Sequence, residues 1–246
     1  LQSNTTASNN VAVGYQAGFS NTTGTQNTAL GRVAMQTNTT GNYNVSVGSV
    51  ALYYNTTGSN NVALGTQALN NNTTASNNTA VGYQAMLSNT TGAVNAAFGR
   101  ETLASNTTGQ SNTAFGTNAL YSNTTTNFST AVGYQAGYSN TGDAYMTAVG
   151  SQALYSNTTG SFNSALGRNA LYNNTTANQN TAVGLESGPS ISTSCFKHAC
   201  FYKPLASGCS DAGSGKIGIK CGCDMGVNTI SADTSLKKTQ MKTVIA

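Results

Sequence analysis

Two sets of residues in this 246-residue chain have the types and spacing to carry chemistry, and they lie in different parts of it. The first is a run of thiols toward the C-terminal end: Cys195, Cys200, Cys209, Cys221 and Cys223, with the single histidine, His198, among them. In a secreted chain this reads as a small disulfide-stapled module. Five is odd, so one thiol stays free or bonds another subunit, and the spacing leaves the connectivity open. A zinc site drawn from Cys195, His198, Cys200 and the Cys221/Cys223 pair is a second use of the same side chains, but the spacing matches no familiar ligand pattern. A Cys200–His198 nucleophile–base pair has no orienting acid nearby. No catalytic, cofactor-binding or metal-ligating residue is therefore assigned.

The second set is Asn-Thr-Thr, an N-glycosylation acceptor signal that begins at Asn4, Asn21, Asn38, Asn55, Asn72, Asn89, Asn106, Asn123, Asn157 and Asn174. Asn140 breaks it, because Gly142 follows Thr141. These asparagines have two competing uses. Glycans on them would coat the chain. Alternatively, stacked amides would bond one another as a ladder and satisfy turn backbone groups.

The spacing that makes stacking possible is the dominant feature of the sequence. Asn-Thr recurs at 4, 21, 38, 55, 72, 89, 106, 123, 140, 157 and 174, always 17 apart, and a glycine follows each Asn by ten residues, from Gly14 to Gly184. Eleven repeats cover 4–190 without insertion or deletion, which indicates stacked coils of a solenoid. Seventeen residues are too few for a helical repeat, and Thr, Val, Asn and Gly favour strand and turn. The expected fold is all-β: a parallel β-solenoid of eleven 17-residue coils over 1–190, then a small β-rich, Cys- and Lys-rich module over 191–246. Each coil is expected to hold two short strands and two turns. At ~3.3 Å per residue and ~4.8 Å per coil the rod is about 50 Å long. Glycans at every coil would then sit about 5 Å apart, which is crowded.

With each Asn of Asn-Thr as the first place, the tenth is always apolar (Val13, Leu30, Val47, Leu64 and their equivalents) and the fifteenth is mostly Leu or Met. Both are expected to stack inward as apolar columns. Ala dominates the ninth and fourteenth places, where small size permits close approach; alternation sets the ninth and tenth on opposite faces. The sixteenth place is often aromatic (Phe19, Tyr53, Tyr121, Tyr138, Tyr155, Tyr172), as an outward ladder or a stripe for packing or sugar contact. Arg32, Arg100 and Arg168 recur every four coils and look like the trace of duplication.

Composition narrows the function. Charged residues are 7% of the chain, against about 25% in ordinary soluble domains. The first 190 residues hold three Arg and three acids; the last 56 hold seven Lys and three Asp, so the net charge of +4 belongs to the tail. Like charges stacked at every coil would repel along the rod. One His and six acids leave few proton-transfer groups, so an enzyme is not expected. No apolar run approaches the ~18 residues of a membrane helix, and the tail's lysines read as solvated surface rather than a nucleic-acid footprint.

The segments Asn78–Ala85 (NTAVGYQA), Thr130–Ala136 (TAVGYQA) and Thr181–Gly184 (TAVG), with their N-T-T-G spacers, resemble the head repeats of trimeric autotransporter adhesins and repeat arrays of phage tail fibres and bacterial surface fibres. The resemblance covers 4–190 and implies a left-handed β-roll, often trimeric, with a structural or adhesive role outside the cell. The strict 17-residue coil is longer than the adhesin repeat. Leu1-Gln2-Ser3 fit the end of a preceding coil, so an uncapped coil is expected to dock on another subunit. The leading expectation is a structural subunit of an extracellular fibre, or one on a cell or virion surface, partnered by copies of itself as polymer or trimer. The alternatives are an adhesin or tail-fibre receptor-binding protein contacting surface or matrix glycans, and an ice-binding solenoid. No nucleic-acid partner and no membrane span are expected.

Overall fold

The structure, a computed structural model, describes residues 1–142 and 145–188 and the backbone of His198–Cys200. It is an all-β parallel solenoid. Among the described residues twelve three-residue strands stack in chain order as one sheet: β1 (Val11–Val13), β2 (Thr28–Leu30), β3 (Val45–Val47), β4 (Val62–Leu64), β5 (Thr79–Val81), β6 (Ala96–Phe98), β7 (Thr113–Phe115), β8 (Thr130–Val132), β9 (Thr147–Val149), β10 (Ser164–Leu166), β11 (Thr181–Val183) and β12 (His198–Cys200). Every pairing is parallel and shifts by one repeat, as Thr79 opposite Ala96 and Thr181 opposite His198 illustrate. The last strand thus carries the 17-residue spacing past Gly188.

Each coil has one strand side, not the two expected. The strand takes the eighth to tenth places, where Thr, Val and Ala favour extended backbone, and the rest of the coil is turn. Three places per coil turn the chain with left-handed backbone: the sixth (Asn60, φ 57°), the thirteenth (Gln67, φ 59°) and the fifteenth (Leu69, φ 50°). A non-glycine residue there costs roughly 1–2 kcal/mol, so packing and hydrogen bonds between coils have to hold it. The glycine after each strand is fixed more strictly. Gly82 has φ 136°, and a Cβ on it would collide with the Gly99 carbonyl one coil on.

The core is thin, and its arrangement corrects one expectation. The fifteenth-place side chains Met35, Leu52, Leu69, Met86, Leu103, Leu120, Leu154 and Leu171 are buried, as expected, together with the ninth- and fourteenth-place alanines such as Ala80 and Ala85. The tenth place faces outward: Val13 is 55% exposed, Phe115 55% and Leu166 52%. The alternation was legible, but its polarity is the reverse of what side-chain size suggests. A coil this narrow holds one long aliphatic side chain in cross-section. Leucine from the turn side fills it, so the strand can contribute only alanine from across the coil. Where the fifteenth place is Gly137, Met146 from the next coil is buried instead, its Cε occupying the space beside Gly137.

Candidate functional surface

The first-place asparagines form the ladder. Asn38 Nδ2 donates to Asn21 Oδ1 (2.8 Å), Asn55 to Asn38 (2.7 Å), Asn72 to Asn55 (2.9 Å), Asn89 to Asn72 (3.0 Å), Asn106 to Asn89 (2.8 Å), Asn123 to Asn106 (2.8 Å) and Asn174 to Asn157 (2.7 Å). Each Nδ2 also donates to the carbonyl three residues ahead in its own coil, for example Asn55 to Gly58 at 2.9 Å. Both amide hydrogens are therefore used inside the coil. Asn21, Asn38, Asn55, Asn72, Asn89, Asn106, Asn123, Asn157 and Asn174 are buried, and Asn4 in the first coil is exposed. A glycan on Nδ2 would remove a ladder donor at seven of the nine buried acceptor sites and would need an exit from a buried side chain at all nine; Asn21 and Asn157 accept in the ladder and donate only to Gly24 and Gly160.

A second asparagine ladder was missed. It occupies the seventh place: Asn27, Asn44, Asn61, Asn78, Asn95 and Asn112, then Asn163 and Asn180, all buried. Asn180 apart, each Oδ1 accepts the backbone N–H of the seventh-place residue one coil on, as Asn44 Oδ1 does from Asn61 (2.9 Å), and Nδ2 donates to the next coil's fourth-place carbonyl, as from Asn61 to Ala75 (2.8 Å). That carbonyl receives Asn72 Nδ2 as well, at 3.0 Å, so the two ladders are tied wherever the seventh place of the preceding coil is asparagine, as at Gly58 and Gly92. The signal was present, since this Asn recurs six residues after the first with nearly the same regularity. Buried amides without partners would be costly; paired at this density they specify the register of the stack.

Second-place threonines close a third set of contacts. Thr22, Thr39, Thr56, Thr73, Thr90 and Thr107 each donate Oγ1 to the carbonyl of the equivalent Thr in the next coil, at 2.9–3.1 Å. Those hydroxyls serve the stack first and solvent second.

Aromatic side chains stack outside the core. Tyr121, Tyr138, Tyr155 and Tyr172 of the sixteenth place have neighbouring ring centroids 5.1–5.2 Å apart and nearly parallel, which is the expected ladder. Burial is the main reason the Tyr138 phenol is pushed above its ordinary range, with the flanking tyrosines adding to the effect. A second aromatic ladder, Phe128, Tyr145 and Phe162 at the sixth place, has the same 5.2 Å spacing and was not anticipated. The inner rings Tyr138, Tyr155 and Tyr145 are stacked on both faces, so along their length these ladders present edges rather than open platforms to a ligand.

Among the described residues the few charged side chains of the rod lie in its turns. Arg100 Nη2 meets Glu101 Oε1 at 3.0 Å, and Asn118 Nδ2 donates to the other oxygen at 3.1 Å. Together they hold the Glu101 carboxyl below its usual range, the arginine bond contributing most. Arg32, Arg100 and Arg168 share the twelfth place and Glu101 and Glu186 the thirteenth; none lies on the strand side.

Among the described residues no group of three or more His, Cys, Asp or Glu is placed to hold a metal ion, and no helix is long and apolar enough to cross a membrane. Cys195, Cys209, Cys221 and Cys223 lie outside the described residues, and of His198 and Cys200 only the backbone is described, in β12. A shallow depression of about 390 Å³ over the first coil, lined by Leu1, Ala12, Tyr15, Ala17 and Phe19, holds no acid, imidazole or thiol. What the described residues offer their surroundings is a set of ruled columns. Comparison with protein-family models, with curated proteins and with solved structures returns no match to this chain.

Proposed function

We propose that this chain is a structural subunit of an extracellular fibre, a charge-poor β-solenoid rod that associates along its axis with copies of itself. The observation that supports this best is the sameness of the coil-to-coil contact. From Asn21 to Asn123 every coil meets the next through the same contacts: its first-place Oδ1 accepts the next coil's amide, its second-place hydroxyl donates to the next coil's second-place carbonyl, and the three-residue strands pair. The two sides of a coil differ, one donating where the other accepts, so the contact is head-to-tail. A head-to-tail contact repeated without closing a ring gives an open filament. The thiols at Cys195, Cys200, Cys209, Cys221 and Cys223 suit an oxidising compartment, where one unpaired thiol could link subunits. An extracellular setting also fits the resemblance to surface-fibre repeats.

Electron microscopy of the purified chain over a concentration series, with and without reductant, tests this reading. Filaments whose length grows with concentration are expected. A chain that stays as isolated rods at the highest concentration overturns the proposal.

A further inference from the structure

On the strand side the eighth and tenth places point outward around the buried ninth, and the left-handed sixth place is turned outward beside the buried seventh. These three outward columns carry no charged residue in any of the eleven repeats. Over coils seven to ten they read Ser111, Thr113, Phe115; Phe128, Thr130, Val132; Tyr145, Thr147, Val149; and Phe162, Ser164, Leu166. Phe115, Phe128, Val132, Tyr145, Phe162 and Leu166 are all exposed. A parallel sheet is normally covered on both faces, and exposed apolar side chains grouped on one face mark a contact site.

We propose that this face is a lateral interface to a second copy of the chain. Three arguments select that occupant. A second rod has the same coil rise, so its columns stay in step with these over the full length, where a partner of another period drifts out of register within a few coils. The face is neutral, so two copies meet without like-charge repulsion. Its area is sufficient: about 15 Å across three columns and about 50 Å along eleven coils gives about 750 Å² per copy, close to the ~800 Å² per partner of a standard stable interface. Pairing about a twofold axis brings the same columns of both copies together. This lateral contact is additional to the axial one and does not depend on it.

The test uses the full chain in reductant, so that thiols do not link copies. Sedimentation equilibrium at about 100 μM, well above a micromolar Kd, compares the wild type with Thr130→Lys/Val132→Lys/Thr147→Lys. A control, Thr117→Lys/Ser151→Lys, puts lysine at the twelfth place, where arginine already occurs in three coils. The expected result is a wild-type dimer or higher species, at least tenfold weaker association in the triple variant with unchanged thermal melting, and no change in the control. If the triple variant melts early, the single Thr147→Lys is measured in its place under the same criteria. A monomeric wild type overturns the proposal, even one that thermal hysteresis or pelleting with crystalline cellulose shows to bind ice or polysaccharide. So does a lysine variant that keeps the wild-type mass, or a control that loses it. Microscopy separates the two contacts: loss of the lateral one narrows filaments, and loss of the axial one shortens them.

Discussion

Coils three to seven and coils eight to nine solve the same packing problem differently. In the first group the seventh place is asparagine throughout, from Asn44 to Asn112, and the fifteenth is Leu or Met. In the second group Ser129 and Met146 take the seventh place and Gly137 takes a fifteenth. Ser129 keeps the backbone link, its N–H donating to Asn112 Oδ1 at 3.0 Å, but its Oγ is buried without a partner. Met146 gives up the amide and fills the space beside Gly137. The lesson is that a coil must satisfy two demands together, amide pairing and filled volume, and that the seventh and fifteenth places trade against one another.

The largest effect is expected where neither demand can be met. Leu120→Asp puts a charge into the column beneath the irregular coils and should destabilise the rod by roughly 5 kcal/mol, read as loss of the main thermal transition. Next comes transplanting the irregular solution into a regular coil. Asn78→Met alone breaks the seventh-place ladder and overfills a coil that already holds Leu69, costing about 3–4 kcal/mol. Adding Leu69→Gly recreates the Gly137–Met146 arrangement and should recover at least 1 kcal/mol in a double-mutant cycle by denaturant unfolding. If the double variant is no better than the sum of its parts, the trade between the two places is wrong. Met146→Ala reopens the space beside Gly137 and should cost about 2–3 kcal/mol, smaller because only packing is lost.

The smallest effect belongs to the tyrosine ladder of coils seven to ten. The folded Tyr138 phenol titrates above its ordinary value of 10.0, chiefly because stacking partly desolvates it. A raised folded-state pKa means a contribution fully present below the unfolded value and lost as pH rises through the folded one. Stability should therefore decline slightly on the alkaline side, and Tyr138→Phe should remove that decline in denaturant unfolding followed against pH.

The period, the parallel stacking, the first-place ladder, the leucine column and the sixteenth-place tyrosines were all legible in the sequence. Each is an identical residue repeated every 17, and identity at a fixed spacing translates directly into vertical contact. What could not be read from one repeat was its interior. Val13 and Leu30 look more like core than Ala12 and Ala29, and only the narrow cross-section, occupied by leucine from the far side, decides for alanine. The seventh-place asparagines hid for a related reason: a polar residue beside a strand reads as turn or surface until the coil closes around it. The left-handed leucines carry no local signal at all, because tertiary packing imposes that backbone against the residue's own preference.

The direction of the hydrogen bonds has one more consequence. The bonds joining one coil to the next run along the rod, so a pull on its two ends loads every coil boundary in series while the bonds at one boundary share the load. Such a rod is as strong as its weakest boundary. In coils eight and nine the seventh-place amide rung is missing and a methionine stands in by packing alone. Stretched from its ends, the shaft should part there first, leaving a regular segment on either side.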